Sequence, residues 1–312
     1  MALLNPPQIL PNVAVVLFRA LRAAEGFTLE RDELEKTVAP PALPRGEAAE
    51  AGPGSKGFDD TLGACVTVGL FERQSDIIRL HPSLPDTVRD RRKEPDVRSL
   101  LRSLILREEL NFGLWDSTEG ARDLTRALAW YLAQSPLHPP AAWNDPGGVD
   151  LEQELQFGSG DRIFSNDTRW GAFDRWAQFL GFGSHLPRDN KEVLLPDPAP
   201  ALRAVLPSML NSTRQEVGTV VEELGRQLPV LDGGKYRREV EARMGPDYVE
   251  ASSDQLSPSL AHALLRLRDE RMIVLEDLAD APLKMRIPQS LGPERTITHL
   301  SLGEGPQARS RR

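Results

Sequence analysis

The chain has a single cysteine, Cys65, in 312 residues. That excludes an intramolecular disulfide and a cysteine-based zinc site. The five histidines (His81, His138, His185, His262 and His299) are scattered, with no pair at metal-ligand spacing, so no metal is expected. No Gly-x-Ser-x-Gly or Ser-x-x-Lys pattern occurs. Cys65 lies in the apolar run Leu62-Gly63-Ala64-Cys65-Val66, away from any histidine. A buried, inert thiol is the expectation there, and covalent catalysis has no visible nucleophile. No apolar run approaches the roughly 18 to 20 residues that a membrane-spanning helix needs. Met1 to Leu10 carries no charged side chain and contains Pro6 and Pro7, which does not resemble a secretory leader. The chain therefore reads as soluble and cytoplasmic, with no membrane partner. Lysine is scarce, 6 residues against 32 arginines, which reflects genome composition as much as phosphate recognition. The net charge of −8 argues against a protein that coats DNA non-specifically, because such binding rests on neutralising phosphates. A local basic patch is still compatible with it.

What is present is concentrated near the end of the chain. Leu256-Ser257-Pro258 precedes a segment from Ser259 to Arg271 with Leu260, Leu264, Leu265 and Leu267 at helical spacing. Met272 to Leu275 and Leu283 to Ile287 then form two short apolar runs around a polar turn, which predicts a two-stranded ribbon. A capped helix running into a ribbon is the outline of a winged helix, a fold that binds DNA or protein and rarely does chemistry. Ser212 to Leu228 and Lys235 to Met244 supply the two helices expected before it. The other end is similar. Asn12 caps an amphipathic helix to Ala24, with Val13, Val16, Leu17, Ala20 and Leu21 on one face. Thr28 caps a second helix to Val38, Pro40 to Gly57 is a flexible Pro- and Gly-rich loop, Phe58 to Leu70 is a third helix, and Asp76 to Leu80 is a strand.

The middle is helical, with helices predicted over Asp96 to Leu110, Thr118 to Gln134, from Asn166 or Asp167 to Leu180, and Ala199 to Leu210. Pro136 to Gly148 is a connector, and Glu192 to Leu195 a single strand. The expected architecture is mainly α. A winged-helix-like unit spans residues 1–95, a helical middle region 96–200, a second winged-helix unit 201–302 and a disordered tail 303–312.

Several motifs resemble sites without their context. Gly52-Pro53-Gly54-Ser55-Lys56-Gly57 has the glycine spacing of a dinucleotide loop but no strand before it. Gly233-Gly234-Lys235 is followed by Tyr236 where a phosphate loop needs Ser or Thr, so a turn between helices is the better reading, and no cofactor is expected. Asp189-Asn190-Lys191 is the one acid-x-Lys triplet of the metal-nuclease kind, with Asp167 and Asp174 upstream on a different element. A solvated turn leading into a strand accounts for it more simply. Trp170, Phe173 and Trp176 at helical spacing form either core or a base-stacking platform, with core favoured. Arg89 to Arg107 holds seven basic residues against three acidic ones. Arg91, Arg92 and Lys93 there are candidate phosphate contacts. At the C-terminal end the DNA-binding candidates are Arg266, Arg268 and Arg271 on the third helix with Lys284 and Arg286 on the wing. The N-terminal third helix has Lys56 and Arg73 against Asp59, Asp60 and Glu72, a balance of −1, and is the better protein-binding candidate.

Phe164-Ser165-Asn166-Asp167-Thr168-Arg169-Trp170, then Phe173-Asp174-Arg175-Trp176-Ala177, Leu180-Gly181-Phe182-Gly183 and Leu195-Pro196-Asp197-Pro198, resemble the DpdG proteins. The opening Leu3-Leu4-Asn5 to Leu10-Pro11 is similar too, so the resemblance covers most of the chain. Those proteins are encoded with the bacterial machinery that installs deazaguanine derivatives in DNA and restricts unmodified DNA. The shared residues are packing and turn residues, and none is catalytic. The resemblance implies a non-enzymatic component of a phage-restriction complex, working beside helicase, ATPase and nuclease subunits. The function expected is thus a DNA-engaging adaptor of a defence or modification-dependent restriction complex, ahead of a stand-alone winged-helix transcription regulator and, third, a metal-dependent nuclease.

Overall fold

The computed structural model describes residues 1–6, 8–38, 54–141, 143, 148–158, 161–188, 191–210, 214–245, 248, 251–292 and 295–305. It is mainly helical with small antiparallel sheets. Two compact units are present, residues 1–124 with 168–179 and residues 125–167 with 180–312.

The first unit opens with α1 (Pro11–Ala23). Pro11 occupies the first helical turn, where its missing N–H costs nothing, so Asn12 lies inside the helix and does not cap it. Thr28 also differs from expectation. It begins the short strand β1 (Thr28–Glu30), and α2 (Arg31–Val38) starts only after it. The sequence 39–53, most of the expected loop, lies outside the described residues. Next come α3 (Gly54–Thr67), β2 (Phe71–Gln74) and β3 (Ile77–Leu80). β3 is central in an antiparallel sheet of order β1-β3-β2. Phe18, Leu21, Leu34, Phe58, Leu62, Cys65, Phe71 and Ile78 are each at most 2% exposed and form the core. Each such burial contributes about 1.5–3 kcal/mol, which is how a −8 chain holds this unit without a staple. Burial pushes the Cys65 thiol up, as an inert cysteine requires.

After α4 (Asp86–Arg89), Asp96 caps α5 (Val97–Ile105) by accepting from Arg98 N and Ser99 N, both at 3.1 Å. A short α6 (Glu108–Asn111) precedes α7 (Arg122–Ala133). Asp123, at the start of α7 and 3% exposed, accepts from Leu3 N at 3.1 Å and Leu4 N at 2.7 Å. The opening segment is thereby held by a buried carboxylate.

In the second unit Trp130 of α7 donates its Nε1–H to Gln156 Oε1 at 2.7 Å. Gln156 lies on α8 (Val149–Phe157), a helix without a clear sequence signal. α9 (Asp167–Leu180), most of which belongs to the first unit, is followed by a hairpin of β4 (Gly183–Arg188) and β5 (Lys191–Pro196) where one strand was expected. Gly181 has φ +83°, and a Cβ there would lie 2.9 Å from Ala201 N, so the turn out of α9 admits only glycine. α10 (Ala199–Leu210) matches expectation. Then follow β6 (Gln215–Glu216), α11 (Val217–Gln227), α12 (Lys235–Glu241), α13 (Pro258–Asp269), β7 (Ile273–Glu276), β8 (Met285–Ile287), β9 (Arg295–Ile297) and β10 (His299–Leu302). Ser257 caps α13 through Leu260 N, with Pro258 in the first turn.

The ribbon expected over Met272 to Ile287 does not form. β7 pairs with β10, Leu275 opposite Leu300, while β8 pairs with β9. With β6 the sheet order is β6-β10-β7. Helix, strand, helix, helix, strand, strand therefore describes both ends of the chain, α1-β1-α2-α3-β2-β3 and α10-β6-α11-α13-β7-β10. In each, the last strand is central. The second copy carries two additions, α12 and the β8–β9 hairpin.

Candidate nucleic-acid interface

The C-terminal cations are mostly engaged. Arg266 bonds the Asp197 carboxylate and also Glu270 Oε1, the latter at 3.0 Å, while Arg203 bonds the same Glu270. Asp197 is 1% exposed and also accepts from Ser184 Oγ at 2.7 Å and Ala199 N at 3.0 Å. It ties the β4–β5 hairpin to the start of α10 and to α13. Burial opposes the charge on Glu270, but hydrogen bonds from Arg203 and Arg266 hold its carboxyl below the usual range. Arg268 pairs with Asp269, Lys284 with Asp277 at 3.4 Å, and Arg286 with Asp254 at 2.9 Å. Arg271 is different. It is exposed, sits at φ 60° in the turn between α13 and β7, and its guanidinium has no partner among the described residues.

The basic stretch after the N-terminal sheet divides in the same way. Arg89 donates to Leu84 O and His81 O, and Arg107 to Val68 O, all between 2.7 and 2.8 Å. Arg91 donates to Ala24 O at 2.6 Å and lies 5.0 Å above the Phe27 ring. Arg102 is 4% exposed, and burial pushes its guanidinium down from its ordinary value. Arg92 and Lys93 are exposed, with side chains that bond nothing among the described residues. Of the eight sequence candidates, Arg91, Arg266, Arg268, Lys284 and Arg286 each make a hydrogen bond or ion pair within the protein, those of Arg268, Lys284 and Arg286 being solvated pairs that a phosphate could replace. Arg92, Lys93 and Arg271 are the three with a free charge to offer a phosphate. Sequence reading passed over one more, Arg295 on β9, which is exposed and equally unengaged among the described residues. The β-branched run Thr296-Ile297-Thr298 was the signal that would have placed it on a strand.

On α3 the exposed Asp59 pairs with Arg31 at 2.8 Å. Phe173 and Ala177 are fully buried and Trp176 is 2% exposed, so the α9 aromatics are packed, with Trp170 half-buried beside Phe173. Lys191 opens β5, whereas Asp189 and Asn190 lie outside the described residues. Gly234 closes a tight turn before α12, where a Cβ would approach Pro229 O to 2.4 Å. Among the described residues no group of three or more His, Cys, Asp or Glu could hold a metal ion, and no helix is long and apolar enough to cross a membrane.

The class so defined is a mainly helical protein with the same six-element connectivity at both ends and a small set of free cations. Residues 1–281 match the family model described as DpdG-like. The chain belongs to the DpdG-like family. No curated protein and no solved structure matches it. Of the residues whose sequence resembles that family, several are structural here: Gly181 makes the turn after α9, Asp197 ties hairpin to helices, and Leu3 and Leu4 are held by Asp123.

Proposed function

We propose that both ends are winged-helix units and that the protein is a non-enzymatic, DNA-engaging adaptor of a modification-dependent restriction complex. The observation that carries this reading is the shared connectivity, with a third helix leading directly into the first strand of a two-strand wing and the first short strand pairing beyond it. Membership of the DpdG-like family supports the context of deazaguanine DNA modification. The acidic third helix of the first unit fits a protein partner, such as a helicase, ATPase or nuclease subunit. The free Arg271 beside the third helix of the second unit fits DNA. Arg92 and Lys93 supply a further phosphate-contacting segment.

A stand-alone regulator differs in one measurable respect, because two-fold symmetry on a palindromic operator requires a dimer. The test is a tagged full chain recovered from its native host. Co-purification of a larger motor or nuclease subunit is the expected result. A dimer that protects a palindrome near its own gene and recovers no such subunit overturns the adaptor in favour of the regulator.

A further inference from the structure

The β8–β9 hairpin occupies a place where the first unit has only a tight turn at Ser75 and Asp76. Inserted between β7 and β10, it builds a cleft of about 550 Å³ against the C-terminal end of α13. Five of the eight lining residues, Asp277, Ile287, Arg295, Thr296 and Ile297, come from the insertion. That volume falls within the range of about 300–1,000 Å³ usual for small-ligand sites. Its walls have distinct chemistry. Leu275, Ile287 and Ile297 give it an apolar floor, with Ile287 and Ile297 5% and 2% exposed, and Glu276, whose charge is met by Arg214 at 2.7 Å, is a second lining carboxylate beside Asp277. Arg268 from the helix and Arg295 from the hairpin also line it. Arg268 uses Nε and Nη2 on Asp269, and Arg295 is unengaged among the described residues. Asp277 accepts from Thr296 Oγ1 at 2.5 Å and from Lys284, and these contacts, Thr296 first, hold its carboxyl below the usual range. It remains an acceptor for a ligand N–H.

Resting on the DNA-engaging reading above, we propose that this cleft binds one nucleotide of an unpaired strand. The base lies on the Leu275–Ile287–Ile297 floor with its N–H edge toward Asp277, and the phosphate sits between Arg268 and Arg295. An apolar floor accepts the face of a ring, and a guanidinium bonds phosphate bidentately or stacks on a base, so the floor and Asp277 suit a base and the arginines its phosphate. A base inside a duplex cannot reach a concave floor without leaving the stack, which makes the site selective for single strands.

The test uses the full chain and fluorescence anisotropy with a short labelled single strand and the duplex of the same sequence. Arg295→Ala should weaken single-strand binding about tenfold, the loss of one charge-assisted contact, while duplex affinity is unchanged. Because Arg295 bonds nothing among the described residues, the variant should melt like the parent. Adenosine monophosphate at high concentration should displace the single strand from the parent and not the duplex. Arg271→Ala, outside the cleft, should show the opposite preference. Unchanged single-strand affinity in Arg295→Ala, or equal losses on both DNAs, overturns the cleft and leaves the DNA-engaging reading standing. A parent that binds neither DNA overturns both.

Discussion

Replacing Arg266 by alanine separates a structural role from a DNA-binding one. From sequence, Arg266 is a phosphate contact on a recognition helix. In the structure its guanidinium faces a carboxylate that is 1% exposed, that of Asp197, inside a cluster with Glu270 and Arg203. Removing one partner of a fully buried pair costs about 3–5 kcal/mol, because the other charge is left without compensation. Arg266 itself is 39% exposed and Asp197 keeps the Ser184 hydroxyl and Ala199 N–H, so a loss of about 2 kcal/mol is expected. A solvated pair would lose only about 0–1 kcal/mol. The measurement is urea unfolding followed by circular dichroism, where the midpoint should fall with an unchanged m-value. Asp197→Asn alone and combined with Arg266→Ala completes a cycle, and the two residues should show coupling of about 1 kcal/mol or more. A variant that unfolds like the parent, shows no coupling to Asp197 and yet loses DNA affinity with a flatter salt dependence would falsify the structural assignment.

The three free cations carry the complementary expectation: Arg92→Ala, Lys93→Ala and Arg271→Ala together should leave the melting curve in place and reduce the log–log salt slope of DNA binding by about 3, read by anisotropy across a salt series. Trp176→Ala should cost about 3–5 kcal/mol through a core cavity, and a variant that melts normally but loses DNA would make α9 a stacking platform instead. Glu223 is held at about 2, below its ordinary 4.5, by hydrogen bonds from Arg226 and then Gln227. A depressed folded value means its stabilisation is present above about 4.5 and is lost as the pH falls toward about 2. Glu223→Gln should therefore flatten the pH dependence of the urea midpoint in that window, and an unchanged slope counts against the pairing. Purified chain should not nick plasmid with magnesium or manganese; nicking that disappears in Lys191→Ala would promote the nuclease reading.

Helices with apolar residues at period 3.6 were legible from the chain alone, and α10 matches residue for residue. Short strands were not. β1 and β6, of three and two residues, are too brief to show a period, and each is followed directly by a helix whose residues dominate the window. The wing was misread for a different reason. Met285 to Ile287 is the nearest apolar run after β7, and local spacing favours it, whereas the true partner is His299 to Leu302, beyond an inserted hairpin. Pairing of that kind is decided by tertiary context. The candidate interface was half legible for an electrostatic reason: composition locates cations, but carboxylates distant in sequence, Asp197 for Arg266 and Asp254 for Arg286, decide which are free.

That selection bears on the proposal that one connectivity serves two roles at opposite ends of the chain. Winged-helix recognition depends on what the third helix and the wing present, because the remaining elements supply the core. In the first unit the β2–β3 hairpin is short, and its charges pair internally, Arg79 with Glu72 at 2.6 Å, as Asp59 of α3 pairs with Arg31. In the second unit the β8–β9 hairpin is inserted between β7 and β10, which adds Arg295, unengaged among the described residues, and lines a cleft. Leu283 closes against Gly218 of α11, where a Cβ would come within 2.4 Å of its side chain, so the loop leading into that hairpin is seated on the unit. A seated insertion presents its cations in fixed positions, and fixed positions reduce the ordering cost of engaging a ligand. The asymmetry between the two ends thus follows from one insertion and from which carboxylates lie within reach of which arginines.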